Sequence, residues 1–566
     1  MPKTTLKIGT LFVNKPLKFV GNPEARLEIN EAIIIDLSNY PSADEKVLFS
    51  ECNIHFKFMR NANKTSAFLS TRSINLFLCV FPYLPSFCKG TKDSEEVGCF
   101  QKKHDSATFS EAHAHDSLFE VSCVETHHHE TQGLFPLFSI GSATTVELSD
   151  CEIRSMNFEK ELGFDVPYLN DIAFLLKHSK NSQGRVGSNL ILNNCRISNF
   201  LTAVQNTFMC SLSIEKCSFI ENRGHTINLS NPESFTLNEC IIEKSGKSCV
   251  NIRFSKEVPT RALRKIAIEK NEFIKSNSYG VSIFGENMIY QACPILIHSN
   301  LMISPMKDGI GIKNLNIQQI SIFKNTINGS NANGIFLQNI INGKCANQIE
   351  LRENKIVRSS LYGLALIDAA VDSDSDEFIE NDKGGVIISG SEEIKTLEEY
   401  CQYKASPLMC KFTQAQLKKN KDSGLIIVGY LKGNIVLESC QIHENLNGIY
   451  IRLKQLANFT TMKAGSASRV ESCSLGHILL DKTNVFQNKD SGISLRAIHE
   501  KLRFRETLIQ ENQTYAIFLA EEQNKNYLVL EKGKFKNFIN GFVGGEWGLV
   551  DGQSDRVCKG AKCNVF

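Results

Sequence analysis

Residues 266–284 read IAIEKNEFIKSNSYGVSIF. The phrase returns as ILIHSNLMISPMKDGIGIK at 295–313, ISIFKNTINGSNANGIFLQ at 320–338 and IELRENKIVRSSLYGLALI at 349–367. Each copy runs apolar-x-apolar-x-x-Asn-x-apolar, then a polar corner, then Gly-apolar-x-apolar. Alternation of this kind belongs to strands, whose successive side chains point to opposite faces. Asn271, Asn300, Asn325 and Asn354 recur at steps of 29, 25 and 29 residues. Such a period marks units that bury their apolar faces only by stacking on one another. Most units are too short for the four strands of a propeller blade, and none carries the helical return or fixed Leu/Asn scaffold of a leucine-rich repeat. The expected fold is all-β, a single-stranded parallel β-helix. It should be right-handed, because crossovers between parallel strands almost always are.

Working outward, Cys takes the Asn slot in VELSDCEI, LILNNCRI, LSIEKCSF, FTLNECII and IVLESCQI. The column therefore reads Cys151, Cys195, Cys217, Cys240, Asn271, Asn300, Asn325 and Asn354, and continues through Ala415, Cys440, Thr483, Thr507 and Gly533. Stacked coils would turn this into a ladder in which buried Cys acts as a small hydrophobe and Asn amides bond to one another. A structural ladder accounts for these thiols better than a disulfide framework, despite 19 Cys in the chain. With a degenerate coil around DEFIENDKGGVIIS and others near the start, about 14 to 16 coils at roughly 4.8 Å give a rod of about 65–75 Å. Gly224, Gly280, Gly309, Gly334, Gly363, Gly385, Gly424, Gly448 and Gly492 stand before or near the second apolar run, where glycine permits φ > 0 or close backbone approach. Asp308, Asp422 and Asp490 read as turn formers.

The organisation expected is a cap with first coils at 1–81, a His/Cys-rich insertion at 82–140, repeats at 141–545 and a C-terminal cap at 546–566. Insertions fall near 160–188, 389–410 and 454–476; residues 391–410 have helical composition. Residues 371–378, VDSDSDEF, read as a solvated acidic loop with Asp372, Asp374 and Asp376 at alternate positions. Six of the 13 His lie between His104 and His129. His113, His115, Cys123 and His127 are the candidate metal ligands there, without the closely spaced ligand pairs of a complete zinc signature. No cofactor is expected.

Lys+Arg of 63 against Asp+Glu of 61 leave a formal charge of +2, so nothing global points to nucleic acid. No run approaches the roughly 18 apolar residues of a membrane span. The start, MPKTTLKIGTLFVNKPLKF, has no signal-peptide core, which implies a cytoplasmic protein. Outward Glu215, Glu269, Glu438, Asp481 and Glu531 would align as an acidic ridge if the register holds, a surface suited to a basic partner.

The phrase Φ-x-Φ-x-x-N/C-x-Φ…N-x-x-x-G-Φ-x-Φ, as at 320–337 and 435–451, resembles the PbH1/CASH repeat of the pectate-lyase-like superfamily. In style it is closest to the intracellular members: CASH-containing F-box proteins and SHC SH2-domain-binding proteins. The resemblance covers 140–545 well and 5–80 loosely. It implies a non-catalytic intracellular scaffold that binds a protein partner, although no F-box is visible. Two alternatives stand beside it, a structural cytoskeletal or ciliary component and a carbohydrate-active lyase, hydrolase or epimerase on uronate polymers. The last needs paired carboxylates, or an Arg/Lys base with acids, on neighbouring coils facing one groove. The phrases NTD, DD, GHG and RIK of polygalacturonases are missing, stacking aromatics are sparse, and no catalytic residue is assigned.

Overall fold

The computed structural model describes residues 5–15, 17–21, 26–35, 46–50, 52–56, 134–141, 144–155, 170–177, 187–207, 209–255, 265–291, 294–317, 319–341, 349–390, 408–429, 433–453, 477–497, 501–520, 528–531 and 534–536. A typical coil has three strands. Lys265–Glu269 lies on a first face, Glu272–Ile274 on a second and Val281–Gln291 on a third. The first face is a 16-stranded sheet, in agreement with 14 to 16 coils. The second and third belong to a 31-stranded sheet. They merge at Arg26–Ile35, which pairs with Asn53–Phe56 through Leu27–Ile29 and with Leu134–Ile140 through Ile33–Ile35. Neighbouring coils pair in parallel, and the chain winds as a right-handed parallel β-helix. No helix occurs among the described residues. The helical composition read over 391–410 fails at its last three residues, which open the strand Leu408–Thr413; 391–407, the metal candidates His113, His115, Cys123 and His127, Gly533 and the tail at 546–566 lie outside the described residues.

Alternation decides what each strand buries. On the first face Leu190, Leu212, Phe235, Ile266, Ile295, Ile320 and Ile349 stack inward in register, all buried in one continuous core. Because the period is two, a slip of one residue would turn the whole row to solvent.

The corner between first and second faces is two residues long. Its first residue is left-handed in every described coil from Asp150 onward, with Lys270, Ser299, Lys324 and Glu353 at φ 52–55°. Such a conformation costs a non-glycine residue about 1–2 kcal/mol. The second residue is the ladder slot. Asn271 Nδ2 donates to Asn300 Oδ1 at 2.9 Å and back to Leu237 O at 3.0 Å, while Asn271 N donates to the same Asn300 Oδ1 at 3.0 Å. Asn300 repeats this toward Asn325, and Asn325 toward Asn354. Cys151, Cys195, Cys217, Cys240 and Cys440 occupy the same slot and are buried as free thiols. Cys195 and Cys217 each donate their backbone N–H to the sulfur of the next coil at 3.3 Å.

The run of amides ends at Asp376, which accepts from Asn354 N at 2.7 Å and from Nδ2 at 2.9 Å. VDSDSDEF is thus not an acidic loop: Asp372–Asp374 is a first-face strand and Asp376 is fully buried. The following coil offers Ala415, which can accept nothing, so an acceptor-only carboxylate closes a chain of one-way donors. Burial raises the Asp376 pKa from the ordinary 3.8 to about 6, against the bonds from Ser373 and Asn354. Burial favours the neutral acid more than water does, although near neutral pH the group is mostly the acceptor-only carboxylate. The neutral acid's contribution to stability is complete below the ordinary carboxylate value and lost as pH rises through about 6. Asp376→Asn should therefore stabilise the protein by about 3 kcal/mol at pH 7.5 and change little at pH 4, read by urea unfolding at both pH values.

Five residues beyond each ladder slot lies a second inward column at the next corner. Asn381 Nδ2 donates to Asn420 Oδ1 at 3.0 Å, Asn420 to Asn445 at 2.9 Å, Asn445 to Asn488 at 3.2 Å and Asn488 to Asn512 at 2.8 Å. Asp308, expected to close a local turn, instead accepts from Asn333 N and Nδ2 of the next coil, both at 2.8 Å. The glycine column then starts the third face. A Cβ on Gly334 would stand 2.7 Å from Gly363 O, and one on Gly448 2.3 Å from Gly492 O. Neither has a positive φ; close approach between coils is what excludes a side chain. Gly224 lies outside this column, two residues before Thr226 N bonds Ser248 O. Gly448→Ala should cost about 1–3 kcal/mol, read as a lowered denaturation midpoint; an unchanged midpoint would contradict the contact.

Candidate functional site

Corners and core leave the outward side chains of the three faces as the surfaces where chemistry could sit. On the first face Glu215, Glu269, Glu438, Asp481 and Glu531 do share a column, but it also contains Asn238, His298, Phe323, Arg352, Asp374, Thr413 and Arg505. Glu215, Glu269, Glu438 and Asp481 each have a cation at hand: Lys216 by Glu215 at 3.1 Å, Lys265 by Glu269 at 3.6 Å, Lys411 by Glu438 at 2.9 Å, and Arg505 on Asp481. The row is mixed and internally neutralised, not an acidic ridge. Asp372 and Asp374 share Arg352, at 2.9 and 3.8 Å.

The third face differs. Its outward positions lie two and four residues beyond the glycine column: Ser282, Gly311 and Phe336 in one row, Phe284, Lys313 and Gln338 in the next. Tyr279 and Asp308 stand in register just before it. Lys313 Nζ is 4.6 Å from the Phe336 ring centroid and 5.8 Å from that of Phe284. Lys307 Nζ lies 5.6 Å from the Tyr279 centroid, and Tyr279 meets Phe284 edge to face at 5.4 Å. Gly311 makes room: a Cβ there would stand 2.9 Å from Tyr279 Cδ1 and Cε1. Two ammonium groups are thus held over three rings, each within the reach of a cation–π contact. Toward the N-terminus the same face carries a hydrogen-bonded polar row, buried at Ser282 and Asn251, with Ser282 Oγ donating to Asn251 Oδ1 at 2.9 Å and Asn251 Nδ2 to Asn228 Oδ1 at 2.7 Å.

Several ionisable groups here are displaced from their ordinary values, as functional surfaces tend to arrange. Burial, then the neighbouring Lys313, lowers the Lys307 pKa, with Asp308 opposing. Burial raises that of Asp308 against the two Asn333 bonds. Burial and then Asp422 raise Tyr362, keeping its phenol protonated. His225, farther along the same column, is pushed down to about 3 by burial and by Lys247 and Arg253. At neutral pH it is therefore an uncharged imidazole.

None of Tyr279, Phe284, Lys307, Lys313 or Phe336 stood out in the sequence as functional. Phe284, Lys313 and Phe336 occupy the variable positions of Gly-Φ-x-Φ-x and Tyr279 and Lys307 the corner just before the glycine, and only the register reveals that these positions from three repeats are neighbours. The expected scarcity of outward aromatics fails on this face for the same reason. Among the described residues no group of three or more His, Cys, Asp or Glu could hold a metal ion.

No known protein family matches the chain, and no curated protein does. Among solved structures, the chain is similar to the periplasmic alginate epimerase AlgG at 10% identity, over 72% of this chain and 78% of that one, with a TM-score of 0.36. It is also similar to the A-module of the Azotobacter vinelandii mannuronan C-5 epimerase AlgE4 (12% identity, 72% and 91% covered, TM-score 0.33). A third is the catalytic domain of a GH87 alpha-1,3-glucanase (8% identity, 72% and 66% covered, TM-score 0.24). The likeness is one of fold, and no residue role is carried over. Their names are those of carbohydrate-active enzymes and none is a protein-binding scaffold, so the expectation of a non-catalytic scaffold is not upheld.

Proposed function

We propose that the chain is a carbohydrate-active protein that lays an acidic polysaccharide along the outer surface of the third face. There it removes the proton α to a uronate carboxylate, the step that lyases and epimerases share. The observation that carries this reading is the pair Lys307 and Lys313, held over Tyr279, Phe284 and Phe336. In this scheme Lys313, fixed between two rings, neutralises the uronate carboxylate and so stabilises the charge that develops on it. Lys307, with its lowered pKa, accepts the proton from the α carbon. The Tyr279 phenol returns a proton, either to the leaving glycosidic oxygen or to the opposite face of the carbanion. The half-buried rings of Phe284 and Phe336 would give the apolar side of a sugar a surface to pack on. Hydrolysis fits less well, since it asks for two carboxylates astride the bond, and Asp308 is buried beneath the rings.

The test is a panel of polymannuronate, polyguluronate, polygalacturonate and a neutral glucan. Lyase activity is read as the absorbance of the C4–C5 double bond, and epimerisation as solvent deuterium entering C5. A polyuronate should react and the glucan should not. Lys307→Met should lower kcat by about 100-fold or more, whereas Lys313→Met should act mainly through KM. Because the base must be neutral, the rate should rise with pH through the lowered lysine value. Turnover of the glucan, or no exchange with any polyuronate, would sink the reading.

A further inference from the structure

The Cys end of the first ladder begins one coil earlier than the sequence phrases indicate, at Cys52. Lys46–Ser50 pairs with Thr145–Ser149 so that Ser50 faces Ser149, and Asn53 faces Glu152 on the next strand. Cys52 and Cys151 therefore stand directly opposite each other, although residues 57–133 intervene in the chain. Glu152 N donates to Cys52 O at 2.9 Å, holding the two corners together. The Cys52 thiol donates to Ser50 O at 3.3 Å and that of Cys151 to Ser149 O at 3.2 Å, so both side chains lie the same way. Neighbouring parallel strands lie roughly 4.8 Å apart, inside the span of about 4.4–6.8 Å between Cα atoms that a disulfide bridges.

We propose that Cys52 and Cys151 are a redox pair that staples the first coils when a small-molecule disulfide is present. Oxidised glutathione serves as the oxidant. Its sulfur–sulfur bond takes up two electrons and two protons to give two thiols, while both cysteine S–H bonds are replaced by one Sγ–Sγ bond. This proposal is independent of the polysaccharide reading.

Two features single out this pair from the others in the column. Cys52 is 9% exposed, whereas Cys151, Cys195, Cys217 and Cys240 are at 1–2%. A bridge here also closes the long segment between the two coils, and the stabilisation from a cross-link grows with the length of chain it closes. In the closed state the neighbouring Cys151 and then burial push the Cys52 thiol up, and Cys195, with burial and against Cys52, pushes Cys151 up, so both stay in the unreactive form. Since the attacking species is the thiolate, exchange waits on opening of the first coil and should accelerate as that coil is loosened by warming.

The experiment incubates the full chain with oxidised glutathione below its melting point, alkylates the remaining thiols and maps peptides without reduction. The expected product is a peptide pair joined through Cys52 and Cys151, with two fewer alkylatable thiols. It should come with a raised thermal midpoint that dithiothreitol reverses. Cys52→Ser should give no such pair and keep its midpoint unchanged by the oxidant. A stable glutathione adduct on Cys52, a Cys195–Cys217 bridge as the main product, or both thiols still alkylatable once the first-coil amides have exchanged would each overturn the proposal.

Discussion

The interaction on which the rest depends is the one-way transfer of hydrogen bonds from one corner amide to the next. Asn300, Asn325 and Asn354 each accept twice from the coil before them, and Asn271 accepts once, from Cys240 N. Each Nδ2 donates onward to the next coil and back to a carbonyl of the preceding one. Leaving such buried groups unpaired would cost about 1–3 kcal/mol each, so at the corners of Asn271, Asn300, Asn325 and Asn354 the amides hold the left-handed residue against its own preference. That tight corner lets the first and second faces meet at an angle without a loop. Where the chain of donors must stop, the residue is Asp376, and at the same coil the second column takes over with Asn381. Two polar columns thus divide the rod, and their handover lies in the coil with the weakest apolar signature, where Ser373 replaces a core aliphatic.

Regular corners have a chemical consequence. They leave the inward positions no freedom, since a core packed at near-crystalline density tolerates little change in volume. They place no demand on the outward ones beyond β propensity. Chemistry can therefore accumulate on an outer face without disturbing the fold. The first face uses this freedom for paired charges, such as Arg352 with Asp372, which add little beyond solubility. On the third face the glycine column brings coils close together, and Gly311 opens a space that the Tyr279 ring fills. Two lysines over rings, a buried Asp308 and an uncharged His225 then share one surface.

The parts of this protein that repeat were readable from its residues. Alternation revealed the strands, the recurring Asn and Cys revealed the corner, and the count of phrases gave the number of coils. The glycines were legible as special, but whether for φ or for contact was not: only the distance from Gly334 to the Gly363 carbonyl decides it. Asp376 was misread because a single carboxylate in VDSDSDEF looks like solvent-facing acid. Its place under Asn354 depends on a partner 22 residues away in sequence.

Repetition in a chain specifies its own neighbours, because each unit can bury its apolar face only on a copy of itself; for that reason the sequence alone determined the architecture and its inward columns. The outward columns carry no such constraint. Lys307, Tyr279, Lys313 and Phe336 come from three different repeats and have no common spacing. Their meeting is decided by register between coils, a long-range property that only the folded rod possesses.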